Sequence, residues 1–287
     1  MPKIGIVLAG GGSRGPYELG CLKTIENFFG RDSITCISAS SIGVLNAYAF
    51  GADQTDTLMQ EWKNIDVTNA GRFIFSYPSI PDMVAKIRSL IPDKVILPYE
   101  MYGTVWNFTD RKVEYIPFHE LSAPLMRDYM CAALAVPIFN KGVRLNGRTL
   151  LDGAALDNIP VYPLVNKDLD YVFVIYFDGH SYMFENEEFD RKVIKLYNFP
   201  NQCAWDSIVF DPNRVDNMYE FGAKYADEVL RELFISDDPE LVYQNIRDHE
   251  AKNRKNIEKR LTSDVVLSSI NTMTRRYAKR MSKRKKL

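Results

Sequence analysis

Two strand-to-helix junctions, about 25 residues apart near the start of the chain, limit what the sequence can fold into. Ile4-Gly5-Ile6-Val7-Leu8 is a short apolar run of the kind that forms a strand buried on both faces. Gly10-Gly11-Gly12-Ser13-Arg14-Gly15 follows it, and then Pro16, a residue suited to the first helical position. Tyr17, Leu19, Leu22, Ile25, Phe28 and Phe29 recur at helical spacing up to Gly30. A second run, Ile34-Thr35-Cys36-Ile37, feeds directly into Ser38-Ala39-Ser40-Ser41-Ile42-Gly43 and a further helix. Strands that alternate with helices in this way predict an α/β fold, three layers α/β/α around a mostly parallel sheet.

The rest of the chain fits that frame. Thr55 to Ile65 reads as an amphipathic helix, and residues 66–104 as an insertion in which aromatic residues alternate with Pro78, Pro81, Pro92 and Pro98. Val105–Thr109 and Val113–Ile116 flank a turn, Leu125–Val136 reads as a buried helix, and Asn146-Gly147 marks a hairpin. Tyr171–Phe177 is the clearest buried strand. These features predict a core over residues 1–180 and a mainly helical C-terminal region over 181–287 that packs on it and ends in a basic tail. No apolar run approaches the ~18 residues of a membrane span. The first strand begins at Lys3, leaving no room for a cleavable leader. Cys21, Cys36, Cys131 and Cys203 are scattered, which suits separate thiols in a reducing compartment better than a disulfide framework or a metal cluster. The expected location is therefore cytoplasmic, with no metal and no cofactor.

The near-neutral total charge hides an asymmetry. Residues 251–287 carry 13 Lys or Arg against Glu258 and Asp264, a net +11, so with −1 overall residues 1–250 carry −12. Such a tail can meet an anionic surface, or lie as a helix on its own acidic body. Val265, Val266, Ile270, Met273 and Tyr277 lie near helical spacing among Arg275, Arg276, Lys279 and Arg280, which favours peripheral docking on anionic lipid over nucleic acid.

Gly10, Gly12 and Gly15 satisfy G-x-G-x-x-G, but the end of the second strand carries serines where a dinucleotide site needs an acidic residue, and no Gly-Lys-Ser/Thr follows for a P-loop. The second junction fits another chemistry better. Ala39-Ser40-Ser41-Ile42-Gly43 has the small-x-Ser-x-Gly form of a nucleophile elbow, with Ser41 at the apex and small neighbours, Ala39 and Gly43, that let the turn close. A glycine turn on the neighbouring strand can offer backbone N–H groups to an oxyanion. A serine also needs a base. Leu151-Asp152-Gly153-Ala154 puts a carboxylate at a strand end, and His180, after the core strand, offers instead a Ser41–Asp152–His180 triad in α/β-hydrolase order. His119 and His249 stand in polar stretches that suit the surface.

Taken together, Gly10–Gly15, Ser41 in its elbow and Asp152-Gly153-Ala154, in this order, resemble the patatin-like phospholipase family. Leu134–Phe139 and Asp157-Asn158-Ile159-Pro160-Val161 resemble the segments around that family's Asp-Gly motif. The resemblance runs from about Lys3 to Phe177 and implies a patatin-like fold and a calcium-independent serine–aspartate acyl hydrolase acting on lipid esters. Ser41 would be its nucleophile and Asp152 its base, with the oxyanion hole built from Gly10, Gly11, Gly12, Arg14 and Gly15, and with Gly43 and Gly153 as supporting glycines. The chain departs from the family pattern at Ala39, where glycine is usual and a methyl group would crowd the elbow. A non-catalytic lipid-binding protein of the same fold is the competing expectation, and an acyltransferase would use the same site.

Overall fold

The computed structural model describes residues 1–64, 80–137, 139–177, 181–184, 187–197, 210–252 and 257–259. Its strands are β1 (Ile4–Leu8), β2 (Ile34–Ser40), β3 (Glu100–Asn107), β4 (Lys112–Pro117), β5 (Val143–Leu145), β6 (Arg148–Asp152), β7 (Tyr171–Ile175), β8 (Ser181–Met183), β9 (Val193–Leu196) and β10 (Ile257–Lys259). The helices are α1 (Gly15–Phe29), α2 (Ile42–Gly51), α3 (Thr55–Lys63), α4 (Ile80–Leu90), α5 (Ala123–Ala133), α6 (Glu187–Asp190), α7 (Val215–Leu233) and α8 (Pro239–Lys252). His180, Cys203 and the basic segment after Lys259 lie outside the described residues.

The main sheet runs β5-β6-β3-β2-β1-β7-β9, with β4 also paired to β3. The five strands from β3 to β9 are mutually parallel, and β4, β5 and β6 join antiparallel at one edge. The sheet is thus mixed, with a parallel centre. β1 and β7 are buried at every position, because apolar layers cover both faces there. One face packs on α1, α2, α5 and α7 through residues such as Ile6, Leu8, Ile37, Leu19 and Leu230, and the other buries Val7, Val172, Val174 and Tyr176 beneath the segment 159–169. At Asn146-Gly147 both residues have positive φ (50° and 75°), the backbone that a two-residue β5–β6 hairpin requires.

Two elements differ from expectation. Residues 100–104 belong to β3, not to an insertion, and pair with Cys36–Ser40 of β2. Glu100, Tyr102 and Thr104 give that half-strand a polar reading, although its neighbours bury it. Beyond Gly179 the chain is also not wholly helical: Val193–Leu196 completes the main sheet beside β7, and β8 pairs with β10 in a small second sheet. A four-residue strand is too short for its periodicity to show. The C-terminal region is anchored by α7 crossing α1, where Gly20 and Gly222 bring the backbones together. A Cβ at Gly20 would fall 2.1 Å from Tyr219 O, and one at Gly222 would fall 2.2 Å from Tyr17 O. Cys21, Cys36 and Cys131 are free and buried. Among the described residues no helix is long and apolar enough to cross a membrane.

Candidate active site

Sheet register brings the two junctions and the Asp-Gly motif to one edge. Leu8 lies beside Ala39, and Ala39 beside Gly103, so the glycine loop after β1 and the serine turn after β2 leave the sheet at the same level. Ser40 pairs with Thr104, and the next residue of β3, Val105, pairs with Asp152 at the end of β6. Ser41 and Asp152, 111 positions apart, therefore flank one point of β3, and the Ser41 Oγ–H donates to Asp152 Oδ2 at 2.5 Å. Both are buried, at 5% and 2% exposure.

Ser41 has φ 52° and ψ −127°, a backbone conformation that L-residues rarely adopt. It caps the start of α2, whose first amides give that end a partial positive charge. The strained turn is held by its neighbours: Ser40 Oγ donates to Asp157 O at 3.1 Å, and Thr104 Oγ1 to Ala39 O at 3.0 Å. Tyr115 in turn donates its hydroxyl to Asp157 Oδ2 at 2.6 Å. Gly10 is required by space. A Cβ there would lie 2.5 Å from Asn158 Oδ1, 2.8 Å from Ala154 Cβ and 2.9 Å from Ser41 Cβ. Gly43 and Gly153 similarly press their Cα against Leu8 and Thr104.

Asp152 accepts from Ala154 N–H at 2.8 Å through its other oxygen, Oδ1. Burial pushes its carboxyl up to about 7, and the hydrogen bonds from Ser41 and Ala154 pull the other way without cancelling that effect. A carboxylate with this proton affinity is a far better acceptor for a hydroxyl proton than a free aspartate near 3.9.

The glycine loop divides its amides. Gly10 N–H donates to Asn158 O (3.3 Å), Arg14 N–H to Gly11 O (3.2 Å) and Gly15 N–H to Gly12 O. The amides of Gly11 and Gly12 have no partner among the described residues. Of the five residues expected to form an anion-binding loop, Gly10, Arg14 and Gly15 thus direct their amides into the protein, because the loop closes as a 3-10 turn over Gly12–Arg14. Arg14 instead braces the loop with its side chain. Its Nε donates to Gly11 O (3.1 Å), a terminal nitrogen donates to Phe177 O (3.2 Å), and the guanidinium lies 4.5 Å from the Phe177 ring centre. The sequence offered no sign of Phe177 as a partner, since it reads only as the end of a core strand.

The Ala39 methyl packs into the core. It is fully buried in the helix-side core with Leu8, Ile37, Val44 and Ala47, while Ser40 on the next pleat faces the other way to reach Asp157. Gly103 beside it in the sheet has no side chain, and the Phe118 ring and Val44 fill that space. Ala39→Gly is accordingly expected to lower stability by roughly 1 kcal/mol through backbone entropy and a lost methyl, with an unchanged rate of Ser41 modification. Chemical denaturation and reagent labelling measure the two effects separately. His249 is also unlike its sequence reading: it is buried between α7 and α8, 2.9 Å from Glu232.

A strained serine turn at a strand end, a buried carboxylate accepting its hydroxyl and an adjoining glycine loop thus meet at one edge of an α/β sheet. The patatin-like phospholipase family model matches residues 6–165, more than half of the chain, and the chain belongs to that family. Among solved structures it is similar to VipD from Legionella pneumophila, at 12% identity and TM-score 0.44, covering 88% of this chain and 74% of that one. It is also similar to the ExoU–SpcU complex from the type III secretion system of Pseudomonas aeruginosa, at 13% identity and TM-score 0.41. That match covers 88% of this chain, which spans 59% of the other's length.

Proposed function

We propose that the protein is a serine acyl hydrolase cleaving fatty-acyl esters of phospholipids or related lipids, with Ser41 as nucleophile and Asp152 as its base. The observation that carries this reading is the buried Ser41–Asp152 hydrogen bond to a carboxyl whose proton affinity is raised by burial. Membership of the patatin-like phospholipase family supports the lipid-ester substrate class.

In this reading Asp152 takes the hydroxyl proton as Ser41 Oγ attacks the ester carbonyl carbon. Negative charge gathers on the carbonyl oxygen and is received by the amides of Gly11 and Gly12, in a loop that the Arg14 side chain braces. The tetrahedral species collapses, the C–O bond to the alcohol breaks, and Asp152 returns its proton to the departing lysolipid oxygen. Asp152 then takes a proton from water as its oxygen attacks acyl-Ser41, and returns it to Ser41 Oγ as the acyl–Oγ bond breaks and the fatty acid leaves. No metal enters this sequence, so the activity is expected to be insensitive to calcium. The basic segment beyond residue 250 would draw the enzyme onto anionic lipid.

The test compares wild type with Ser41→Ala on a panel of phospholipids and acylglycerols, with calcium and with a chelator. Fatty-acid release from wild type alone, equal under both conditions, is the expected result. Release that survives Ser41→Ala, or no release from any substrate, overturns the reading.

A further inference from the structure

Behind the two loops lies a buried pair that the mechanism does not use. Glu18 stands one turn into α1, the helix that follows the glycine loop, and Asn46 stands one turn into α2, the helix that follows Ser41. Neither has any exposed surface. Both protons of the Asn46 amide nitrogen are engaged: Nδ2 donates to Gly15 O at 3.0 Å and to Glu18 Oε2 at 2.8 Å. Two oxygens of the pair, Glu18 Oε1 and Asn46 Oδ1, are left buried with no donor among the described residues. An ionised Glu18 would therefore leave a desolvated charge with one oxygen unpaired, beside an unpaired amide carbonyl, and each such group is costly.

A single proton resolves both defects. Placed on Oε1, it makes that oxygen a donor. A planar carboxylic acid can receive Nδ2–H on one oxygen and donate from the other to the carbonyl of the same planar amide. We propose that Glu18 is held as a neutral carboxylic acid in a two-hydrogen-bond ring with the Asn46 carboxamide, and that this ring positions the glycine loop against the Ser41 elbow. Glu18 and Asn46 are positioning residues here, since neither reaches the reacting atoms, and the role rests on the acyl-hydrolase reading above.

The surroundings agree. Burial pushes the Glu18 carboxyl well above the usual carboxylate range, against the opposing pull of the Asn46 hydrogen bond and the Arg14 charge. The titratable neighbours on its own helix are Tyr17 and Cys21, both pushed up by burial and so neutral as well. From α2 the facing group is Asn46 itself. From α3, Trp62 packs over Gly15 and brings no charge. The Asn46 tether to Gly15 O passes the constraint to the residue where the glycine loop becomes α1.

The experiment compares the full chain with Glu18→Gln and Glu18→Leu. Glutamine can close the same ring with Nε2 donating to Asn46 Oδ1, and it has no proton to lose; leucine cannot close it. Glu18→Gln is expected to react with a fluorophosphonate at Ser41 as fast as wild type at neutral pH. Glu18→Leu is expected to be slowed at least about tenfold in the inactivation step, with reagent binding unchanged. The infrared difference between wild type and Glu18→Gln should contain a protonated-carboxyl band. A raised folded-state value means that Glu18 holds its proton more tightly folded than unfolded, so the wild type loses stability as pH climbs above the free-glutamate range. Glu18→Gln should lack that part of the decline.

A missing infrared band, or Glu18→Gln as slow as Glu18→Leu, overturns the neutral acid. Glu18→Leu labelling at the wild-type rate overturns the positioning role. Should Glu18→Leu not fold, the glutamine variant and the band still decide. If wild type itself does not label, the acyl-hydrolase reading is what fails; the band and the pH slope need no turnover, and they support the ring or overturn it independently.

Discussion

Asp152→Asn is expected to lower ester hydrolysis by roughly 100- to 10,000-fold, the usual worth of a positioned general base, while making the folded chain more stable at neutral pH. The two effects share one cause. In the fold the Asp152 carboxyl sits at about 7, raised by burial above the 3.8 of a free aspartate. Ionising it is therefore harder folded than unfolded. A raised acid contributes stability that is complete below its unfolded value and is lost as pH rises through its folded value. Wild type should accordingly weaken between about pH 4 and 7, by an amount on the order of 2–4 kcal/mol. Asparagine keeps the shape and both hydrogen bonds, with Oδ1 accepting from Ala154 N–H and Nδ2 donating to Ser41 Oγ, but it has no charge to bury. Over the same window the hydrolytic rate should climb, since only the ionised form accepts the serine proton. Thermal unfolding and a pH–rate profile read the two trends, and the protein should gain activity where it loses stability.

Ser41→Gly should abolish turnover and yet yield a more stable chain than Ser41→Ala. Both variants lose the hydroxyl and its 2.5 Å bond to Asp152. They differ in backbone: at φ 52° and ψ −127° a Cβ is strained, and glycine is not. The difference between the two variants isolates that strain, and a residue in such a region costs roughly 1–3 kcal/mol. Denaturant titration of the pair measures it. Equal stabilities would mean that the turn stores no strain.

The centre of the fold was legible because it is written in strong local signals. Ile4–Leu8 and Tyr171–Phe177 are unbroken apolar runs, and a strand buried on both faces needs such a run. Ser41 and Asp152 were legible for a similar reason, since a tight strand-to-helix turn demands small neighbours and an Asp-Gly at a strand end stands out. What stayed hidden depends on pairing. Residues 100–104 of β3 and all of β9 are strands only because β2 and β7 lie beside them. The direction of Ala39 could not be read either: period-2 alternation says that Ala39 and Ser40 face opposite ways, but only packing shows that the methyl takes the helix side. The loop amides are a third case. A glycine triplet offers donors, but the 3-10 turn over Gly12–Arg14 decides which of them face inward. The Glu18–Asn46 pair left no trace in the sequence, because each residue alone looks like an ordinary polar position on a helix.

Activation of the Ser41 hydroxyl by Asp152 is open to a direct chemical test. Mass spectrometry of the intact and digested chain after brief exposure to a fluorophosphonate tests this most directly. One adduct is expected, on the peptide containing Ser41, absent in Ser41→Ala and formed far more slowly in Asp152→Asn. No adduct on a folded chain, an adduct on another residue, or equal labelling of Asp152→Asn would contradict it.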